Sequence, residues 1–167
     1  FGDAVAIDGD TVIFGTLDAA YVFTRSGGSW VQQAKLSVEA AYTFGNSVAI
    51  DGDTAIVGAF KADSSLGEDG VFMRTGAAYV FTRSGDEWTQ QSELFPSDRQ
   101  EFDQFGHSVA IDGDTAVIGA SNKNYGASVA YISAGAAYVF TRSGGEWVQQ
   151  AKLLPSDNNF DNKFCDK

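Results

Sequence analysis

Hydrophobic residues along the chain occur in short runs that glycine-containing turns separate. In one such stretch, SVAI at 47–50 is followed by Asp-Gly, which favours a hairpin turn of type I′ because both central residues of that turn need positive φ. Further apolar runs lie at 54–59 and 77–83, with a longer polar segment between them. Ser-Gly-Asp then leads into EWTQQSEL at 87–94. The pattern predicts four short antiparallel strands joined as a meander.

The same four-part pattern occurs three times in the 167 residues. Phe-Gly openings stand at positions 1, 44 and 105, and AAYVFTRSG recurs from positions 19, 77 and 136. We therefore predict a shortened unit at 1–43, complete units at 44–104 and 105–163, and the start of a further unit at 164–167, where Cys165 replaces the glycine. The opening inside a repeat leads us to expect a fragment of a longer protein.

The strand faces predict how these sheets pack. In the third strand of unit two, Tyr79 and Phe81 alternate with Ala78 and Val80, so both faces are apolar and should be covered. Simple alternation in the fourth strand places Trp88 and Leu94 on one face, beside a polar face that suits an outer strand. Repeated sheets covered on both faces predict an all-β fold: a β-propeller segment of three four-stranded antiparallel blades, within a larger ring.

The Phe-Gly openings, the second strand of type GDTAIVGA and the third strand GAAYVF resemble the FG-GAP repeat of integrin α-subunit propellers. The resemblance extends over essentially the whole chain. It implies an extracellular or cell-surface propeller, commonly seven-bladed, that binds a protein or glycan ligand through its blade loops. It also implies that calcium binds in the loop between the second and third strands.

One loop carries oxygen ligands at alternate positions, as the calcium loop of the family does: Asp63, Ser65, the Gly67 carbonyl and Asp69. Calcium needs six to eight oxygens at once, and two carboxylates around a glycine turn satisfy part of that need. The loop of unit three offers only neutral oxygens, on Asn122, Asn124 and Ser128, and predicts poor affinity. Unit one keeps a single acid in this place, Asp18, and cannot bind the metal in that manner.

The net charge of −11, from 22 acidic and 11 basic residues, would repel nucleic acid. No apolar run reaches the roughly 20 residues of a membrane span, so we expect a soluble chain. A single cysteine excludes an internal disulfide.

Several polar residues could suggest catalysis, but each has a simpler structural interpretation. The repeated Asp-Gly-Asp at 8–10, 51–53 and 112–114 fits hairpin tips, and His107 stands where the other units have Asp3 and Asn46. An arginine and a tryptophan recur across the last hairpin of every unit, which favours a role in building the blade: Arg25 with Trp30, Arg83 with Trp88, and Arg142 with Trp147.

These observations predict a non-enzymatic binding or adhesion module, since the loops after the second strand vary while the strands are nearly constant. Two alternatives stay open. The chain could be a structural subunit whose end faces are covered by adjoining blades or subunits. It could also be the accessory propeller of an enzyme whose catalytic part lies outside these residues.

Overall fold

The computed structural model describes residues 4–39, 41–62, 74–123 and 135–154, which form twelve strands in three four-stranded sheets. Blade one contains β1 (Ala4–Asp8), β2 (Thr11–Gly15), β3 (Ala20–Ser26) and β4 (Ser29–Leu36). Blade two contains β5 (Ser47–Asp51), β6 (Thr54–Ala59), β7 (Ala77–Ser84) and β8 (Glu87–Leu94). Blade three contains β9 (Phe105–Asp112), β10 (Thr115–Ala120), β11 (Ala136–Ser143) and β12 (Glu146–Leu153). Each sheet follows chain order with antiparallel neighbours, which confirms the predicted meander.

The first hairpin of each blade differs from the prediction by one residue. Asp8 still pairs with Thr11, so the two turn residues are Gly9 and Asp10 rather than Asp8 and Gly9. Gly9 has a φ of 52°, and the aspartate after it is not in the left-handed region. Positive φ at the first turn residue alone is the requirement of a type II′ turn, so the predicted type I′ turn is wrong.

A β-bulge corrects the predicted faces of the outer strand. Val80 pairs with Ser92 but Phe81 pairs with Gln90, which leaves Gln91 as an extra residue in β8. The extra residue reverses the alternation, so Trp88 packs towards blade one while Leu94 packs towards blade three. The prediction that these two side chains share a face is therefore wrong.

Two apolar cores fill the spaces between the blades. The first lies between blades one and two around Phe44, and the second lies between blades two and three around Phe105. Every residue of β6 is buried because blade two is covered on both faces. The expectation that the middle strands are sandwiched is thus confirmed for this blade.

Two glycines allow adjacent blades to approach to backbone contact. A Cβ atom added to Gly15 would lie 1.8 Å from the Gly45 carbonyl oxygen, and one added to Gly58 would lie 2.0 Å from the Gly106 carbonyl oxygen. The Phe-Gly opening of each following blade therefore rests directly on the second strand of the blade before it.

The same three hydrogen bonds join the blades at both junctions, and in each bond the following blade donates. Between blades one and two they are Gly52 N–H to Asp8 Oδ2 at 2.8 Å, Arg83 Nη1 to Thr11 Oγ1 at 3.1 Å, and Trp88 Nε1 to Gln33 Oε1 at 2.9 Å. Between blades two and three they are Gly113 N–H to Asp51 Oδ2 at 2.6 Å, Arg142 Nη1 to Thr54 Oγ1 at 2.9 Å, and Trp147 Nε1 to Gln91 Oε1 at 3.1 Å. Gln33 and Gln91 are the bulge residues of β4 and β8.

Candidate functional site

The hairpin end of the blades carries the recurring arginine, aspartate and tryptophan. In each blade the arginine Nε donates to the second aspartate of the Asp-Gly-Asp run at 2.7 Å: Arg25 to Asp10, Arg83 to Asp53, and Arg142 to Asp114. The same guanidinium groups lie 5.7, 5.3 and 5.2 Å from the ring centres of Trp30, Trp88 and Trp147. The arginine and the tryptophan thus contact each other within each blade, in keeping with the predicted role in building the blade, and the aspartates hold the arginines in place.

The opposite end, which we call the loop end, carries the connections between second and third strands and the linkers between blades. These connections span 16–19, 60–76 and 121–135, so they differ between blades while the hairpins do not. A groove of about 390 Å³ lies here at the junction of blades one and two. It is lined by Leu17, Tyr42, Thr43, Lys61 and Arg74.

The floor of the groove is formed by a strained linker residue. Thr43 has a φ of 62°, which is unusual for a β-branched residue. Its Oγ1 donates to the Tyr42 carbonyl at 2.6 Å and accepts the Lys61 backbone N–H at 3.1 Å. These bonds fasten the linker to the start of the β6–β7 connection, and backbone strain of this kind clusters at functional sites.

The groove combines exposed apolar surface with positive charge. Leu17 and Tyr42 are exposed large side chains, and Lys61 and Arg74 are exposed cations. Lys61 Nζ lies 5.2 Å from the ring centre of Phe60, and within the described ranges neither cation forms an ion pair. The site therefore presents two cations beside two hydrophobic side chains in a chain of net charge −11.

An adjoining hollow extends the groove towards blade one. It measures about 350 Å³ and shares Leu17, Tyr42 and Thr43 with the groove. Asp18 lies at its far side, where its Oδ1 accepts from Thr16 Oγ1 at 3.1 Å. The combined surface is cationic at the blade-two side and anionic at the blade-one side.

A buried ion pair fastens the second linker to blade three. Lys123 Nζ donates to Asp103 Oδ2 at 2.7 Å and also to the Asp98 carbonyl oxygen, and the Lys123 and Asp103 side chains are almost fully buried. Tyr138 Oη and Lys152 Nζ donate to the Asp98 carboxylate at 2.8 and 2.6 Å.

The pKa values of the two carboxylates in this cluster are shifted in opposite directions. Burial raises the pKa of Asp103, and the hydrogen bond from Lys123 offsets only part of that effect. Burial also acts to raise the pKa of Asp98, but hydrogen bonds from Lys152 and Tyr138 outweigh it and bring the pKa below 3.8. Sequence reasoning missed the cluster because Lys123 lies 25 residues from Asp98 and 20 from Asp103 in the chain. The available signal was a lysine close behind the apolar second strand, which ends at Ala120.

The residues predicted to bind calcium, Asp63, Ser65, Gly67 and Asp69, lie outside the described residues. Of the weaker set in blade three, Asn122 is described and donates its backbone N–H to the Asp103 carbonyl at 3.1 Å, whereas Asn124 and Ser128 are not described. In the described part of the chain, no three His, Cys, Asp or Glu side chains are grouped so as to hold a metal ion.

His107 stands against blade two, where its ring packs edge-on to Phe60 at 5.4 Å between ring centres. Its carbonyl accepts from Asn46 Nδ2 at 3.0 Å, which is a contact between blades. His107 therefore packs against blade two at the second junction.

Comparison with known proteins assigns the chain to a family. The FG-GAP repeat model matches residues 30–81 and 88–140, and the chain belongs to that family. Each match begins on the outer strand of one blade and ends on the third strand of the next. No curated protein sequence matches the chain significantly.

The fold is shared with solved structures at low sequence identity. The crystal structure of Sqt1 from Saccharomyces cerevisiae has a TM-score of 0.58 at 12% identity, over 92% of this chain and 35% of the Sqt1 chain. The N-terminal domain of Nup159 has a TM-score of 0.35 at 15% identity, over 87% of this chain and 46% of that chain, which is too low to support an assignment. The three sheets are consecutive β-propeller blades, and the chain spans about a third of the Sqt1 structure.

Among the residues that the structure describes, none forms a helix with the length and hydrophobicity of a membrane span.

Proposed function

We propose that this chain is a non-enzymatic binding module whose loop-end groove takes an acidic protein segment carrying an apolar side chain. One observation carries the proposal: the groove joins exposed Leu17 and Tyr42 to Lys61 and Arg74, on a molecule with 11 more acidic than basic residues. An acidic segment would be repelled from most of the surface and attracted here.

The chemistry of the groove supports a protein ligand. Tyrosine and arginine are enriched at the centres of protein interfaces, because each offers a large contact area together with a polar group. Leu17 and Tyr42 would receive the apolar side chain, while Lys61 and Arg74 would pair with carboxylates. Because all four side chains are exposed, we expect modest affinity and fast exchange.

The non-enzymatic assignment is supported by the contacts of the candidate acids. Five of the six hairpin-tip aspartates that chemistry could have used are engaged in building the blades: Asp10, Asp53 and Asp114 with arginine, and Asp8 and Asp51 with the N–H of the following blade. We further infer an extracellular or cell-surface location, in keeping with the resemblance to integrin α-subunit propellers.

The proposal is tested with acetylated peptides that place Leu or Phe beside two Glu residues, and with matched peptides in which Lys replaces Glu. We expect the acidic peptides to bind and the basic ones not to bind, as measured by fluorescence anisotropy. Lys61→Glu should weaken binding at least about tenfold, since it turns an attraction into a repulsion within the groove.

Lys35→Glu is the matched control, because it changes the net charge by the same amount on the exposed edge of blade one. It should leave the affinity within about twofold, since Lys35 does not line the groove and exposed charges are screened at physiological salt. The groove would be ruled out as the site if both variants lost affinity equally, or if the acidic and basic peptides bound equally well.

We also propose that calcium binds the β6–β7 connection through Asp63, Ser65, Gly67 and Asp69, as the family resemblance implies. Calcium should then raise the melting temperature modestly, because a ligand that binds only the folded state stabilises it. The double variant Asp63→Ala, Asp69→Ala should abolish the rise, and magnesium at equal concentration should not reproduce it. If calcium does not change the melting temperature of the unmutated protein, the calcium site is refuted, whereas the proposal of peptide binding in the groove is not affected.

A structural role is the second candidate function, and the uncovered outer faces of blades one and three favour it.

A further inference from the structure

We propose that the segment bound in the groove carries a second apolar side chain, which contacts Phe102 of the second linker (residues 95–104). This inference rests on the proposed function and describes the partner more closely. The partner is an extended acidic segment with two apolar residues, one on each side of its carboxylates. The placement of Phe102, its exposure, its backbone conformation and the charges around it lead to this description.

The two described ends of the β6–β7 connection lie between the two linkers. A backbone hydrogen bond of 3.2 Å joins these ends to each other. On one side, Lys61 donates its N–H to Thr43 Oγ1 of the first linker, between β4 and β5, at 3.1 Å. On the other side, Phe102 donates its N–H to the Arg74 carbonyl at 3.0 Å. The groove and Phe102 therefore flank the same pair of chain segments.

Arg74 belongs to both of these surfaces. Its side chain lines the groove together with Tyr42, and its carbonyl holds the backbone of Phe102. A hydrogen bond between two backbones places their Cα atoms about 5 Å apart, as in neighbouring strands. With the width of a groove of about 390 Å³ added, a segment that reaches from Tyr42 to Phe102 spans on the order of 10–15 Å. About three to five residues of extended chain cover that distance, at about 3.3 Å per residue.

The Phe102 ring is open to solvent. Phe102 is 54% exposed, and in the described part of the chain no aromatic ring or cation stacks on it. Phe95, at the other end of the same linker, is 42% exposed but has the Arg99 guanidinium 4.5 Å from its ring centre. The second linker therefore carries one phenylalanine that is used within the chain and one that is available to a partner.

The backbone conformation of Phe102 makes a role in folding costly. Its φ is 65°, in the left-handed region where a bulky residue is an outlier and Gly or Asn is the ordinary choice. Counted back from the Phe-Gly opening, the same position of the first linker holds Ala41, which is buried and is not in the left-handed region. The blade framework therefore does not require an exposed aromatic residue here. A strained, exposed phenylalanine points instead to contact with a partner.

The charges near Phe102 determine where the carboxylates of the partner belong. Arg74 is exposed and forms no ion pair within the described ranges. Glu101, directly before Phe102, is exposed as well. Carboxylates of the partner are therefore attracted to the part of the segment that passes Arg74, and not to the end that contacts Phe102.

A second apolar contact adds affinity at little further cost in entropy. The segment is already held at the groove, so docking its second side chain is an intramolecular step. We expect about a tenfold gain over a segment with one apolar residue. The gain requires the correct spacing, because two adjacent apolar residues cannot reach both Tyr42 and Phe102.

Acetylated peptides of equal charge and length test the spacing. One carries a single leucine beside two glutamates, and the second carries two leucines separated by about four residues that include both glutamates. The third carries the same two leucines side by side. Fluorescence anisotropy should show the spaced peptide binding about tenfold more tightly than the single-leucine peptide, and the peptide with adjacent leucines gaining less than about twofold. Equal affinities for the spaced and adjacent peptides would overturn the second contact.

Phe102→Asn removes the ring without disturbing the fold. Because asparagine accepts the left-handed conformation, this variant should be at least as stable as the wild type, which a melting curve verifies. It should lower the affinity for the spaced peptide about tenfold and leave the affinity for the single-leucine peptide within about twofold. If Phe102→Asn weakens both peptides equally, the second contact is refuted.

Phe95→Asn is the matched control, because it removes an exposed phenylalanine from the outer end of the same linker. It should bind the spaced peptide as the wild type does, and a loss equal to that of Phe102→Asn would refute the second contact. The single-leucine peptide tests the groove itself. If it does not bind the wild type, the proposed function fails, whereas a spaced peptide that binds no better than the single-leucine peptide refutes only this inference.

Discussion

At the residue scale, the two aspartates of each Asp-Gly-Asp run have different partners. The first aspartate, such as Asp51, accepts the backbone N–H of Gly113 in the next blade, and the second, Asp53, holds Arg83 over Trp88. Hairpin propensity explains why Asp-Gly-Asp forms a turn, but it does not by itself explain why both aspartates recur in every blade. The carboxylates also join blade to blade.

The buried pair of Lys123 and Asp103 yields a prediction about stability. Removing one member leaves an uncompensated charge in the interior, so Lys123→Met should lower the free energy of unfolding by about 3–5 kcal/mol. Urea denaturation at pH 7 measures the loss. The double variant Lys123→Met, Asp103→Leu should regain most of it, because an apolar pair of similar volume carries no desolvation cost.

Lys152→Met serves as the comparison, since Lys152 pairs with the partly exposed Asp98 at the edge of the same cluster. It should cost no more than about 1 kcal/mol. If Lys123→Met proved no more harmful than Lys152→Met, the buried pair would not be what holds the linker on blade three.

At the scale of elements, the bulge in each outer strand connects two parts of the structure. It turns Trp88 and Leu94 to opposite faces, and it points the Gln91 side chain at the indole of Trp147. If the same residues alternated without a bulge, Trp88 and Leu94 would face the same neighbouring blade, and one of the two cores would lose a side chain.

Gln91→Ala separates these two effects. It keeps the extra residue but removes the hydrogen bond to Trp147, so the free energy of unfolding should fall by about 1 kcal/mol. Deleting Gln91 leaves every other pair of the ladder in place but also removes the bulge and its local twist, so it should cost more than Gln91→Ala. Denaturant midpoints followed by tryptophan fluorescence distinguish the two, and equal losses would count against the role of the bulge.

Sequence reasoning found the strands of this fold and missed the features that depend on register. Alternation identifies which runs are strands, and the repeats identify how many sheets they form, because both signals are local. The Gln91 bulge and the Gly9–Asp10 turn each involve a shift of one residue in pairing, which leaves the composition of the strand unchanged. The groove was missed for another reason: Leu17, Tyr42 and Lys61 come from three separate connections whose neighbours only the assembled blades define.

At the scale of the whole molecule, blade two differs from its neighbours in having both faces covered within the described part of the chain. The strands β1 and β5 are equivalent edge strands of their sheets, but β5 is almost entirely buried and β1 is largely exposed. Local opening should therefore be easier in blade one.

Native-state hydrogen exchange checks this difference. Paired amides of Ser47–Asp51 should exchange at least about tenfold more slowly than those of Ala4–Asp8 in dilute protein. Equal protection of the two strands in dilute solution would mean that an uncovered face does not weaken a blade.

The glycines at the second strands determine the curvature of the array. At Gly15 and Gly58 two blades are separated by the thickness of two polypeptide backbones, with the following carbonyl resting where a methyl group would stand. A methyl group there would push the following blade away and change the angle between the two sheets, since its Cβ would lie within 2.0 Å of a backbone carbonyl oxygen. The absence of a side chain at Gly15 and Gly58 thus sets the angle between neighbouring sheets. The loops can differ between blades because this angle does not depend on them.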